Sequence, residues 1–231
     1  MIYICTHKDF RNYPQGEDFR IISSAPLNEQ YEIPIKVAKN KMTPMEFSYA
    51  ELYHIYDIWK AKQKKDEWVG INHYRRYFDF GSAEHNVTTL PVPRQFNMHE
   101  QYARCHNLND LLECEAIIDE LYPEYHCDYA KINHLYTNNM FVLSKEDFDA
   151  YCKFIFGVLD KFNEKHGFKT TADVEAYVAK NRSQYNPNRA FDAHYQARLQ
   201  GFLAERLGTI FFDHYFNGKQ VRQLPIVLTD N

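Results

Sequence analysis

The sequence predicts an α/β fold, with a mostly parallel sheet flanked by helices, in a single domain over residues 1–231. Three observations carry this. The chain opens on an apolar run, Ile2 to Thr6, which reads as a buried strand handing over to polar His7, Lys8 and Asp9. An amphipathic helix pattern (Leu52, Ile55, Tyr56, Trp59) then runs into a second apolar strand, Trp68-Val69-Gly70-Ile71. The same alternation recurs in the second half, where strand-like Asn139 to Leu143 precedes a helix beginning at Ser144.

In chain order, the first strand is expected inside the sheet, with helices on both faces. Residues 9 to 42 are weakly periodic and hold Pro14, Pro26 and Pro34, so they read as loop with one short strand or helix. Thr43-Pro44-Met45-Glu46 has the form of a helix start, with Thr as N-cap and Pro at the first helical position. Ser48 with Glu51 offers a second capping box one turn later. The charged stretch Lys60 to Glu67 ends that helix. Residues 81 to 101, with Pro91 and Pro93, read as an irregular lid or acceptor loop. Asn109 is placed as the cap of a helix carrying Leu112, Ile117 and Leu121. Ser144 and Asp147 start a helix whose Phe148, Tyr151, Cys152, Ile155, Phe156 and Leu159 keep helical spacing. Residues 163 to 190 look polar and hinge-like. A last helix from about Phe191 to Leu207 is followed by an expected aromatic strand, Ile210 to Phe212.

Composition narrows the functional classes. Hydrophobic types are 45% and charged types 25%, so a packed globular core is expected. Eighteen Tyr and seventeen Phe against eight Gly suit broad, semi-polar cavity walls, although a Tyr-rich core would show the same numbers. A net charge of −4 and a pI near 6.3 give no basic field for nucleic acid or an anionic bilayer. Five cysteines, odd in number and without a C-x-x-C pair, read as cytosolic thiols. Neither a signal peptide nor an eighteen-residue apolar span is legible, which leaves at most peripheral membrane association. H-E-x-x-H, Walker A, G-x-G-x-x-G and G-x-S-x-G are all missing, which removes the common metallohydrolase, P-loop, dinucleotide and serine-hydrolase readings.

The sharpest chemical feature is His73-Tyr74-Arg75-Arg76-Tyr77-Phe78 at a strand tip. Paired guanidiniums beside an imidazole suit a pyrophosphate. One Arg in an internal salt bridge and the other in solvent is the competing reading, and the two stand about even. Thr6, His7 and Lys8 close the first strand, where a base and phosphate could be met. His134, Asn138 and Asn139 offer donors for sugar hydroxyls, or simply cap a turn. Glu51 reads as a capping carboxylate. Arg198 and Glu205 lie seven apart, on one helical face, with Asp192 and Arg206 nearby. Glu205 is the first candidate for a general base and Asp192 the second, against the alternative of a structural ion pair.

In the order and spacing of IYICTHK, ELYHIYDIWK, WVGINHYRRYF, NNMFVLSKEDFDAYCKFIF and RLQGFLAERL, nearly the whole chain resembles a family of capsular and exopolysaccharide biosynthesis proteins placed with GT-A-like glycosyltransferases. The resemblance implies a GT-A-like (Rossmann-like) fold and transfer of a sugar from a nucleotide-sugar, a UDP-sugar, to a lipid-linked or growing glycan. A cytoplasmic location, in the cytosol or at the inner face of the membrane, is expected. GT-A enzymes in general carry a metal-binding D-x-D after the strand that Trp68 to Ile71 would form. HYRRYF stands there instead and Asp79 is alone, which argues against bound Mn²⁺ or Mg²⁺ and for Arg and His groups facing the leaving diphosphate. The contrasting expectation is a non-catalytic nucleotide- or glycan-binding protein of a polysaccharide assembly complex.

Overall fold

The computed structural model describes residues 1–61 and 67–229. Its strands, in chain order, are β1 (Ile2–Thr6), β2 (Phe19–Ser23), β3 (Ile35–Val37), β4 (Trp68–His73), β5 (Arg76–Phe78), β6 (Thr89–Pro91), β7 (Arg94–Gln95), β8 (His134–Leu135), β9 (Phe141–Ser144), β10 (Arg222–Leu224) and β11 (Ile226–Leu228). The main sheet runs β10-β6-β9-β4-β1-β2-β3, and β7 pairs with β8 apart from it. β1 is parallel to β2 and β4, β2 to β3, and β6 to β10, while β9 is antiparallel to β4 and β6. Of those seven strands β9 therefore runs against the other six. β5 folds back on β4, with His73 opposite Arg76, and β11 pairs antiparallel with β5.

All five residues of β1 are buried, as the near-continuous apolar run requires of a central parallel strand. Alternate side chains feed two cores. Tyr3, Cys5, Ile71, Phe141 and Leu143 point to one face, and Ile2, Ile4 and Ile21 to the other. The register sets Ile2 beside Gly70, where an added Cβ would lie 2.8 Å from Ile2 Cγ1, so the glycine makes room for the isoleucine.

The helices are α1 (Glu46–Tyr49), α2 (Leu52–Lys60), α3 (Met98–Cys105), α4 (Leu108–Leu121), α5 (Lys145–His166), α6 (Thr171–Lys180), α7 (Ala193–Gln196) and α8 (Leu199–Tyr215). The mostly parallel sheet flanked by helices is the expected α/β class. Among the described residues the buried apolar side chains of the helices belong to one core, and the segment between β1 and β3 covers the other face with rings where helices were also expected. Phe10 lies 5.5 Å from Tyr13 and 5.2 Å from Tyr31, and the Phe10 N–H donates to the Tyr31 hydroxyl at 2.9 Å. Part of the Tyr and Phe excess is thus structural.

Other boundaries also differ from the sequence reading. The 9–42 stretch supplies two strands, β2 and β3, held by sheet pairing rather than by local periodicity. Neither capping box before α2 forms. Thr43–Met45 is a 3₁₀ turn, Thr43 Oγ1 donates back to the Asn40 carbonyl, and the helix breaks at Ala50. Most of the charged stretch after Lys60, residues 62–66, lies outside the described residues. The 81–101 segment holds β6, β7 and α3. Asn107, not Asn109, caps α4, and Leu112 and Leu121 face outward while Leu111, Cys114, Ile117 and Ile118 are buried. The 163–190 stretch contains α6, started by a complete Thr170–Asp173 capping box. The expected strand Ile210 to Phe212 is helix, the last part of α8, because those side chains pack against Tyr151 and Phe154 of α5. The Ser144 cap of α5 does form, accepting from the Asp147 N–H at 3.2 Å, and left-handed Gly167 ends that helix.

Candidate active site

The parallel register that sets Cys5 beside His73 brings the polar ends of β1 and β4 together. Tyr74 and Arg75 form the tight turn between β4 and β5, so the HYRRYF segment is a hairpin tip. Two adjoining lobes open there, of about 610 Å³ and about 890 Å³. Thr6, His7, Phe47 and His54 line the smaller lobe. Arg76, Asn138, Asp192, Glu205 and Arg206 line the larger. Ala50, Glu51, His73, Arg75 and Arg198 line both and form the shared wall of one cleft.

That wall carries two guanidiniums and one carboxyl, and Arg76 adjoins it in the larger lobe. Burial first, then the guanidiniums of Arg76 and Arg75, push His73 down to about 3. His7 is lowered as well, by burial and then by Lys8, Arg198 and Arg75. Both imidazoles are therefore neutral at physiological pH. His73 Nδ1 accepts weakly from the Arg75 N–H at 3.4 Å, which leaves Nε2 to carry the proton. Among the described residues, none of Arg75, Arg76 and Arg198 has an ion-pair partner, and Arg75 Nε is buried without a hydrogen-bond acceptor. In a protein of net charge −4, three guanidiniums without an ion-pair partner in one cleft suit an anion.

Two carboxyls face these cations. Glu205 is anchored at both oxygens, with Oε1 accepting from the Asn138 N–H at 2.7 Å and Oε2 from Arg206 Nη1 at 2.8 Å. Arg206 is 2% exposed, lies 5.0 Å over the Tyr102 ring and reaches Gln101, so it is a structural cation. Glu51 is half-buried and accepts from Asn139 Nδ2 at 2.9 Å. Burial raises its carboxyl above the usual range, and the Glu205 charge adds to this. The Asn138-Asn139 turn serves both, with φ of 70° and 48°, a left-handed pair that asparagine tolerates better than most residues.

Of the residues picked from sequence, Thr6, His7, His73, Arg75, Arg76, Asn138, Asp192, Arg198 and Glu205 all line the cleft. Thr6 shapes the β1 turn, its hydroxyl donating to the Lys8 carbonyl at 2.6 Å. Lys8 does not line either lobe; its ammonium stands 5.3 Å from the Tyr74 ring centre. Asn139 is buried behind the wall. His134 is not part of the cleft. It pairs with Asp213 at 2.9 Å and lines a separate cavity of about 470 Å³, because β8 packs against α8. Asp192 spends one oxygen on capping α7. Ala50, His54, His106 and Arg189 also line the cleft without a motif that marks them in the sequence, and Glu51, which fits a capping box, makes no cap hydrogen bond with its side chain. The D-x-D that the chain does spell, Asp147-Phe148-Asp149, is used in the first turn of α5, where Asp147 meets Ser144 and Asp149 accepts from the Trp59 indole. Among the described residues, no three His, Cys, Asp or Glu side chains converge as a metal-ion cluster.

The fold is similar to the apo structure of the bifunctional glycosyltransferase WbbM, with a TM-score of 0.74 and 18% identity. The alignment covers 100% of this chain and 45% of that one, so this chain spans less than half of the solved protein. At that identity the likeness is one of fold. Comparison with curated proteins gives no match. A family model described as a domain of unknown function, DUF4422, matches residues 1–185. The match takes in β1, the HYRRYF hairpin and the Asn138-Asn139 turn, and stops before Arg198, which precedes α8, and Glu205 within it. This chain belongs to the DUF4422 family.

Proposed function

We propose that this protein is a glycosyltransferase that moves a sugar from a nucleotide-sugar donor to a glycan acceptor. The observation that carries the reading is the cluster Arg75, Arg76 and Arg198, none with an ion-pair partner among the described residues, of which Arg75 and Arg198 stand on the wall shared by the two lobes and Arg76 beside them in the larger lobe. A nucleoside diphosphate leaving group develops negative charge, and preorganised cations in a partly dehydrated cleft stabilise it without reorganising. Neutral His73 and His7 donate hydrogen bonds to the same oxygens. The smaller lobe, at the ends of β1 and β4, takes the nucleotide, in keeping with ligand placement at strand carboxyl ends in α/β sheets. The larger lobe takes the acceptor. The fold likeness to a glycosyltransferase supports the same reading, and the sequence resemblance points to a UDP-sugar and to a lipid-linked or growing capsular or exopolysaccharide chain. Among the described residues no helix is long and apolar enough to cross a membrane, so a lipid-linked acceptor would be met peripherally.

In this reading the guanidiniums carry the diphosphate charge, and turnover persists in the presence of a chelator. The test is calorimetric titration with a panel of nucleoside diphosphates and their sugars, followed by product analysis with and without EDTA. Binding of one nucleotide series with sugar transfer supports the proposal. Binding without turnover across the panel assigns the cleft to recognition only, and no binding of any nucleotide overturns it.

A further inference from the structure

Glu51 sits where the two lobes meet, and three features set it apart from the other carboxylates of the cleft. Glu205 has both oxygens engaged, by a backbone N–H and by a buried arginine. Asp192 caps a helix. Glu51 has one oxygen held, Oε1 on Asn139 Nδ2, and that amide is itself fixed on the Gly201 carbonyl at 3.4 Å. The residue before it, Ala50, adopts φ 50° and ψ −129°, a conformation that an L residue holds only under strain. The close approach of α8 keeps it there, since Gly201 packs so near that an added Cβ would lie 3.1 Å from Ala50 Cβ. The strained residue breaks the α1–α2 segment and turns Glu51 out of a capping position and onto the cleft wall.

We propose that Glu51 is the catalytic base of the transfer, with Asn139 as the residue that positions it. This rests on the glycosyl-transfer reading of the cleft. The acceptor hydroxyl in the larger lobe gives its proton to the free Glu51 oxygen as its own oxygen forms a bond to the anomeric carbon. The bond from that carbon to the diphosphate oxygen breaks, and its electron pair leaves with the nucleoside diphosphate toward Arg75, Arg76 and Arg198. A single displacement of this kind inverts the anomeric centre. The charged and titratable groups around Glu51 are Glu205 of α8 and Arg198 just before it, Glu46 of α1, Cys5 of β1, His54 of α2, Tyr151 of α5, and His73 and Arg75 of the hairpin. Burial and Glu205 hold the carboxyl up, so it is a stronger base than an exposed glutamate and is lost as pH falls through its raised value.

Glu51→Gln keeps the shape and the Asn139 contact region while removing the base. Its kcat should fall by about 10²–10⁴ with nucleoside diphosphate affinity kept within about threefold. The acid limb of the wild-type kcat profile should lie above the ordinary carboxylate range and be absent from the residual activity of the variant. Asn139→Ala removes a hydrogen bond that favours the carboxylate and should move that limb to still higher pH, which a purely structural role would not do. If Glu51→Gln does not fold, product stereochemistry with the wild type decides: inversion is required, and retention overturns the assignment. Wild-type turnover with near-normal kcat in Glu51→Gln overturns the role of Glu51 alone. A wild type that turns over no donor removes the reaction, and this assignment with it.

Discussion

Lowering the pH from 7 to 5 should destabilise this protein steeply, because three histidines are folded in their neutral form. His73 is pushed down to about 3 by burial and its two arginines, His54 to about 4 by burial, and His106 to about 3 by burial and Arg206. In the unfolded chain each titrates near 6.5. A folded pKa below the unfolded one means that this stability is fully present above about pH 6.5. It is lost as pH falls through about 4 for His54 and about 3 for His73 and His106, since the unfolded chain takes up protons that the folded chain refuses. At pH 5 the unfolded state gains about 2 kcal/mol per histidine, or about 6 kcal/mol for the three. Asp110, pushed up to about 6 by burial, works in the opposite sense and offsets about 1 kcal/mol, and raised Glu51, Glu115 and Asp160 add in that direction. A net loss of several kcal/mol is large against the roughly 5–15 kcal/mol of a typical domain. Guanidinium unfolding at pH 7, 6 and 5, followed by the fluorescence of Trp59 and Trp68, measures it. His106 stacks on Phe202 at 4.2 Å, so His106→Phe should keep the packing and remove about one proton from the pH slope, about 1.4 kcal/mol per pH unit. Stability that stays level to within about 1 kcal/mol between pH 7 and 5 would refute the neutral-histidine account of the cleft.

Arg75→Ala and Arg76→Ala should each weaken nucleoside diphosphate binding by about 10- to 100-fold, the worth of one charge-assisted hydrogen bond, with little change in Tm; calorimetry showing unchanged affinity in both variants would contradict the anion site. Glu205→Ala leaves the buried Arg206 guanidinium without its counterion and should cost about 3–5 kcal/mol, read as a lowered denaturation midpoint. Gly157→Ala should lower Tm by several degrees, because a Cβ there would fall 2.2 Å from the Tyr122 hydroxyl, which donates to the Lys153 carbonyl at 3.0 Å. An unchanged or raised Tm would show that helix propensity outweighs that clash.

What the sequence made legible was local or strongly patterned. The β1 run, the amphipathic face of α2 and the Ser144 cap follow from nearest-neighbour chemistry, and the structure contains all three. The HYRRYF hairpin was legible as chemistry because charge directly follows a buried strand. Long-range pairing was not. β2, β3 and β6 are short and owe their existence to partners far along the chain, so the stretches around them read as loop. The aromatic end of α8 spells a strand by composition and is helix because Phe211 and Phe212 stack on α5. Glu51 was hidden for a similar reason. Its sequence context fits a capping box, and only the Ala50 backbone, fixed by contact with Gly201, turns it to the cleft. His134 shows the converse, since a polar residue shortly before a strand was carried to another cavity by the packing of β8 on α8.

The most direct test of the central claim is release of nucleoside diphosphate from a nucleotide-sugar, with sugar transfer to an added glycan acceptor, by the wild type and by Arg75→Ala/Arg76→Ala, both in EDTA. The account predicts acceptor-dependent release by the wild type and a loss of at least two decades in kcat/KM in the double variant, from two lost charge contacts. Equal rates in the two proteins, or no release with any donor that binds, would contradict it.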